Sequence, residues 1–328
     1  MGERTYIAAL RDATAIEMRR DARVHVLGED VAEGGPFGAT KGLADEFGAD
    51  RVRNTPISEG TVMGIATGMA LAGLRPVLEI MFIDFLTLAM DQLVNQAAKA
   101  RYMSGGQLAC PLVVRTAAGA GRRYGAQHSQ SLESWLMHVP GLKVAVPATA
   151  ADAAGLLMSA IRDDDPVVVV EHKLLYYRKE EIDSIEPVPL GRAAVRRRGR
   201  HATVVATARM VSEALAAADE LHDEGFEIEV IDPRTLVPLD LDTIVESVRR
   251  TRTCVVAHEA PVRGGVGAEL AALVQEHAID SLDAPVIRIG AAPVPVPAAP
   301  ALEDAYLVGR AQIAGAVRGL IGRGGAVA

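Results

Sequence analysis

Apolar and polar positions along the chain follow two alternating periods, and the switches between them predict its elements. From Tyr6 to Arg20 apolar residues recur at helical spacing, with Thr5 placed to cap the first turn, and Val24-His25-Val26-Leu27 then reads as a short buried strand. Further strands are predicted at 76–80, 112–116, 143–146 and 167–170, separated by helices at 59–72, 84–102 and 149–162. Near-continuous apolar strands between helices imply a parallel sheet covered on both faces, the doubly wound α/β arrangement. Between His172 and His201 the period breaks into charged and proline-bearing sequence, including Arg178-Lys179-Glu180-Glu181 and Pro187-Val188-Pro189, which reads as a linker. Strands at 203–206, 227–231, 253–257 and 286–289 then alternate with helices at 211–224, 239–250 and 265–277, before a closing helix. The expected division is a first domain over 1–180, a linker over 181–200 and a smaller α/β domain over 201–328.

Composition narrows the function. At 328 residues, 49% hydrophobic but only 4% aromatic, the chain is long enough for two domains with cores of Ala, Val, Leu and Ile. A net charge of -8, with one short basic cluster at Arg196-Arg197-Arg198 and Arg200, argues against nucleic acid as a partner. Cys110 and Cys254 each adjoin an apolar strand, which suits buried free thiols in a reducing cytoplasm. The amino terminus, Met1 to Tyr6, begins charged and lacks a signal core, so the mature chain is expected to start there. No apolar run approaches the roughly 20 residues of a membrane helix, so no membrane partner is expected.

Candidate chemistry is sparse when each residue is read alone. In Asn54-Thr55-Pro56-Ile57-Ser58-Glu59-Gly60 an extended segment turns into a helix, and Glu59 in its first turn reads as a carboxylate complementing the helix dipole. Gly60, Gly64 and Gly68 form a bare stripe along that helix, each costing up to about 1 kcal/mol relative to Ala, and close packing at a subunit contact is the expected compensation. The loop Gly119-Ala120-Gly121-Arg122-Arg123-Tyr124-Gly125 begins like a dinucleotide fingerprint, but its spacing is one residue too long. It is expected instead to border a channel, with Arg122 and Arg123 available to a carboxylate. His128 in Gln127-His128-Ser129-Gln130 reads alone as a solvated loop histidine.

A longer series of blocks carries more. Thr55-Pro56-Ile57-Ser58-Glu59, Gly73-Leu74-Arg75-Pro76, Tyr102-Met103-Ser104-Gly105-Gly106, Ala126-Gln127-His128-Ser129-Gln130, Pro140-Gly141-Leu142-Lys143-Val144 and Ala160-Ile161-Arg162-Asp163 follow one another along nearly the whole chain. In that order they resemble the beta subunits of the pyruvate and branched-chain 2-oxo acid dehydrogenases. His172-Lys173-Leu174-Leu175-Tyr176 and Ile231-Asp232-Pro233-Arg234-Thr235 look like acetoin dehydrogenase beta subunits, whereas His258-Glu259-Ala260 looks more like the branched-chain type. The resemblance implies a transketolase-like pyrimidine-binding domain followed by a transketolase C-terminal-like domain, working with thiamine diphosphate.

By the same resemblance, Glu59 hydrogen-bonds a ring nitrogen of the cofactor's aminopyrimidine and favours the tautomer that deprotonates the thiazolium carbon. Such a carboxyl group needs shielding from water. Ile57, Met81 and Phe85 would form the apolar bed under the pyrimidine, and His128 would face the thiazolium and assist acyl transfer to a lipoyl arm. The chain lacks a Gly-Asp-Gly followed by a downstream Asn, so an alpha-type partner is expected to hold magnesium and the diphosphate, in a heterotetramer with a second copy of each chain. Potassium is implied at Leu112, Ala160, Ile161, Asp163 and Asp165, with Asp165 in place of the usual Asn, although Asp163-Asp164-Asp165 reads equally as a solvated helix end. The second domain, including His258-Glu259, is expected to be structural, serving assembly and docking to a lipoyl-bearing acyltransferase.

The implied function is decarboxylation of a 2-oxo acid or cleavage of acetoin, with acyl transfer to a lipoyl domain. A stand-alone ketol-transferring or acyloin-forming enzyme pair and a non-catalytic assembly subunit are the alternatives, and the presence of both Glu59 and His128 speaks against the last. Substrate choice is not legible, because the acyl pocket is shared with the partner chain.

Overall fold

Thr5 opens the first helix, Tyr6–Arg20, by accepting a hydrogen bond from the Ala8 amide at 3.2 Å. The helix buries Tyr6, Leu10, Ala13 and Met18 and packs along the alanine-rich helix Ala150–Arg162, which Thr149 caps in the same way. This computed structural model describes residues 2–324, so Met1 and positions 325–328 of the two expected domains lie outside the described residues.

The chain forms two units, the first comprising Met1–Ala118, Trp135–Leu190 and Leu236–Pro238. Its strands are β1 (Gly2–Thr5), β2 (Val24–Gly28), β3 (Val52–Asn54), β4 (Arg75–Phe82), β5 (Val113–Ala118), β6 (Lys143–Ala145), β7 (Val167–His172) and β8 (Lys179–Ile182). β6, β7, β5, β4, β2 and β3 lie side by side in that order, all parallel. Every residue of β5 and β7 is buried, as expected for central strands covered on both faces.

The second unit comprises Gly119–Ser134, Gly191–Thr235 and Leu239–Ala328. Its sheet contains β9 (Ala194–Arg197), β10 (Ala202–Ala206) and β11 (Ile228–Asp232), whereas β12 (Thr235–Val237) belongs to the sheet of the first unit through Leu236 and Val237. With β13 (Cys254–Pro261) and β14 (Ile287–Ala291) the order is β14-β13-β10-β11-β9, parallel except for β9. Helices Arg209–Asp223, Leu241–Thr251, Val266–Ala278 and Arg310–Gly324 accompany it.

Three features depart from the expected pattern. The presumed linker holds two strands, β8 antiparallel to β1 and β9 antiparallel to β11, whose charged edge sequences carry no apolar period. The helix expected over 84–102 is a succession: Ile83–Leu86, a 3-10 turn at Thr87–Ala89, a wider π turn at Asp91–Ala97, then Ala98–Met103. The segment Gly119–Ser134, expected in the first domain, groups with the second unit. Among the described residues no helix is long and apolar enough to cross a membrane.

Candidate functional site

In a parallel α/β sheet, ligands collect at the carboxyl ends of the strands, where loops leave for the next helix. The ends of β2, β3 and β4 here carry Glu29, the run from Asn54 to Glu59, and Met81 to Phe85. Asn54 fixes its loop by donating to Glu33 at 2.7 Å and accepting from the Ala32 amide at 2.8 Å. Glu59 begins the helix Glu59–Leu71, and Ser58 before it makes no side-chain cap. Glu59 is only 9% exposed, whereas Ile57, two residues away, is 80% exposed. Burial, then the negative charges of Glu59 and Asp30, hold the Glu29 carboxyl above its ordinary range. Sequence reasoning missed Glu29, whose one signal was its place directly after a strand. Met81 and Phe85 are half-buried against the core, with the Phe85 ring edge-on to Phe82 at 5.6 Å.

A buried ionic network ties the same strands together. Arg115 on β5 donates through Nε and Nη2 to Glu171 on β7 at 2.7 and 2.9 Å, and through Nη1 to Glu79 on β4 at 2.7 Å. The Tyr176 hydroxyl donates to Glu171 at 2.8 Å. Burial works against the Arg115 charge, but Glu171 and Glu79 outweigh it and hold the guanidinium above its ordinary value. Burial raises the Glu171 carboxyl despite Arg115. A charged residue amid the apolar run of each of three strands was the available signal, and the pairing that joins them could not be read from the sequence.

In the second unit, the glycine-rich loop closes on itself through the Gly119 amide and the Gln130 carbonyl, 3.1 Å apart. Its backbone takes positive φ at Gly119, Gly121, Arg123 and Gly125, an alternation that turns successive amides toward one point. At that point lies the Glu303 carboxylate, accepting from the Gly121 amide at 2.8 Å and the Arg123 amide at 3.1 Å. The anion that a dinucleotide fingerprint would seek is therefore internal. Arg123 is correspondingly engaged, donating to Glu303 at 2.7 Å and Asp304 at 2.6 Å, which corrects the expectation that it serves an outside carboxylate. His128 is half-buried, and its amide donates to the Gly125 carbonyl at 3.5 Å.

His258 and Glu259 behave differently from one another. Burial pushes the His258 imidazole down to about 4, so it is neutral, and a Cβ added at Gly265, Gly267 or Gly290 would strike its ring at 2.4, 2.7 or 2.9 Å. Glu259 instead accepts from the Ala120 amide at 2.6 Å and from Arg209 at 2.6 Å. Burial, then Glu259, pushes the nearby Glu133 carboxyl up to about 7.

Two further expectations change in detail. The five potassium positions gather at the end of helix Ala150–Arg162, but their oxygens already have protein partners. Lys143 holds Asp163 at 2.7 Å and Asp165 at 3.3 Å, and Arg101 holds Asp165 at 2.5 Å. Arg75 bridges the Ile161 and Asp163 carbonyls at 3.0 and 2.8 Å, while the Leu112 and Ala160 carbonyls accept from the Val167 and Asp163 amides. The glycine stripe, expected at a subunit contact, meets its own chain: a Cβ at Gly60 would lie 3.1 Å from the Leu88 carbonyl, one at Gly64 would touch Gln92 at 3.6 Å, and Gly68 faces open space.

Residues 3–179 match the family described as transketolase, pyrimidine binding domain, and residues 191–313 match transketolase, C-terminal domain. The pyruvate dehydrogenase E1 component subunit beta of Rickettsia felis is 46% identical over 312 residues, spanning 94% of this chain and 96% of that one. This chain belongs to that beta-subunit family. Another member, the acetoin:2,6-dichlorophenolindophenol oxidoreductase subunit beta of Bacillus subtilis, is 45% identical over 91% of this chain and 92% of its own length. The pyruvate dehydrogenase beta subunit of Rhizobium meliloti is 44% identical over 97% of this chain and 70% of its own length. A solved split-gene transketolase, an inactive beta4 tetramer, superposes with a TM-score of 0.77 over 96% of this chain and 97% of that one at 24% identity, which places the family fold on both units.

Proposed function

We propose that this chain is the beta subunit of a thiamine-diphosphate enzyme that decarboxylates a 2-oxo acid or cleaves acetoin and passes the acyl group to a lipoyl domain. The observation that carries this reading is Glu59, a carboxyl group 9% exposed at a helix start, at the same strand edge as half-buried Met81 and Phe85. A carboxyl group beside apolar surface suits a flat heteroaromatic ring with a basic nitrogen, so the residues present fit the pyrimidine of the cofactor. When bound, thiamine diphosphate supplies a carbon nucleophile and an electron sink. Glu59 would hydrogen-bond the ring nitrogen, Met81 and Phe85 would supply the apolar surface on this chain, and Ile57, exposed here, would reach the ring from the open side. His128 supplies a proton during acyl transfer.

The diphosphate and magnesium are assigned to an alpha-type chain, two copies of each chain making the particle, with a lipoyl-bearing acyltransferase as acceptor. The carboxylates once expected to hold potassium are already neutralised by Lys143 and Arg101, and no step is assigned to that ion. The test is co-expression with the alpha-type chain and measurement of proton exchange at the thiazolium carbon. Glu59→Gln is expected to leave assembly intact and slow exchange by roughly 10²- to 10⁴-fold, the usual contribution of a positioned acid or base. Unchanged exchange would remove Glu59 from the role. A screen of 2-oxo acids and acetoin with an artificial electron acceptor then names the substrate.

A further inference from the structure

We propose that Glu303, seconded by Glu259, is a positioning residue that latches the loop bearing His128 and so sets the placement of its imidazole for acyl transfer. The inference rests on the assignment of His128 to that step.

The loop over 119–134 is rich in glycine and has much conformational freedom to lose on ordering. What orders it is a set of carboxylates reaching in from far along the chain. Glu259 takes the Ala120 amide, and Glu303 takes the amides of Gly121 and Arg123. Glu303 is 0% exposed, and a carboxylate withdrawn from water to that degree requires charge-assisted partners. The Arg123 guanidinium provides one and also accepts a place against Asp304 by donating at 2.6 Å. Arg123 holds φ at +63°, a left-handed conformation that side-chain-bearing residues disfavour, and the carboxylate gathered by its amide and side chain offsets that strain.

The second carboxylate is fixed from behind. Arg209 donates through Nε to Glu259 at 2.6 Å and through Nη2 to the Val308 carbonyl at 2.7 Å. Ala120 adds an apolar anchor, packing with Ala291, Val296 and Tyr306. His128 follows Arg123 by five residues, its amide returning to Gly125 and the loop closing at Gln130, so the loop that Arg123 anchors is the one that carries the imidazole. A misplacement of about 1 Å is enough to cost on the order of 10²-fold in a positioned step.

The test uses the assembled alpha–beta enzyme and two rates: acylation of a lipoyl domain, and turnover with an artificial electron acceptor that bypasses it. Glu303→Gln keeps the shape but replaces an acceptor oxygen with a donor facing Arg123. The ratio of lipoyl acylation to dye-linked turnover is expected to fall about 10-fold or more. Deuterium exchange over 119–130 is expected to quicken by roughly 10- to 100-fold, the equilibrium equivalent of a lost charge-assisted hydrogen bond. A merely structural role would lower both rates together and leave the ratio unchanged, which overturns the latch. His128→Asn serves as benchmark: if it leaves the ratio unmoved, the His128 assignment itself fails, and the latch with it. Should Glu303→Gln not assemble, Arg123→Gln removes only the guanidinium arm, and an unchanged ratio there overturns the proposal equally.

Discussion

Replacing Arg115 with Met removes the cation from the network across β4, β5 and β7 while nearly preserving volume. Arg115 is 3% exposed and makes three hydrogen bonds, of 2.7, 2.9 and 2.7 Å, to two buried glutamates. Without it, Glu79 and Glu171 share a dry space with no compensating charge. Breaking a buried ion pair from one side costs about 3–5 kcal/mol. At about 2–4 °C per kcal/mol for a domain of this size, the melting temperature should drop by roughly 6–20 °C. The stranded carboxyl groups can escape by protonation, which raises their folded-state pKa above that of the unfolded chain. The folded variant then binds more protons than the unfolded one from the ordinary Glu value, about 4.3, upward, so its stability falls as pH rises. Thermal melts of parent and Arg115→Met near pH 5.5 and pH 8 should therefore show the larger deficit at about pH 8. A drop below about 2 °C, or an equal deficit at both pH values, would refute the reasoning. Adding Glu79→Gln and Glu171→Gln to the same variant should recover most of the loss, because the uncompensated charges, and not the missing volume, cause it.

Thr149→Ala removes the acceptor for the Asp152 amide at 3.1 Å and should destabilise the chain by about 1 kcal/mol in urea titration, without changing the slope. Burial pushes the Cys110 thiol up to about 11 and the Cys254 thiol up to about 12, so neither should react with an aromatic disulfide reagent at neutral pH until denaturant is added. Rapid reaction of either thiol in the native chain would show that its pocket opens.

The legible parts of the molecule were those with a strong local period. The helix Tyr6–Arg20 and the strands β4, β5 and β7 repeat apolar residues at the spacing their environment demands. β8 and β9 were missed because edge strands pair through backbone alone, and Lys179-Glu180-Glu181 meets Thr5, Arg4 and Glu3 without burying an apolar face. At the candidate site, Glu59, Met81 and Phe85 came from a resemblance over many blocks, since one acid at a helix start says little alone. The roles of Glu259 and Glu303 were out of reach for a different reason: they meet Ala120 and Gly121 from 139 and 182 positions away, and no local pattern encodes such a meeting.

The 3.1 Å gap between a Cβ at Gly60 and the Leu88 carbonyl bears on how a saturation-mutagenesis map of this chain would be interpreted. A side chain there requires the Leu88 backbone to give by a few tenths of an ångström at the very turn where the helix starts, next to the acid. Where the Leu88 segment does not yield, Gly60 would score like a reactive group while possessing none, and the contrast with a permissive Gly68 would reveal that the penalty is steric.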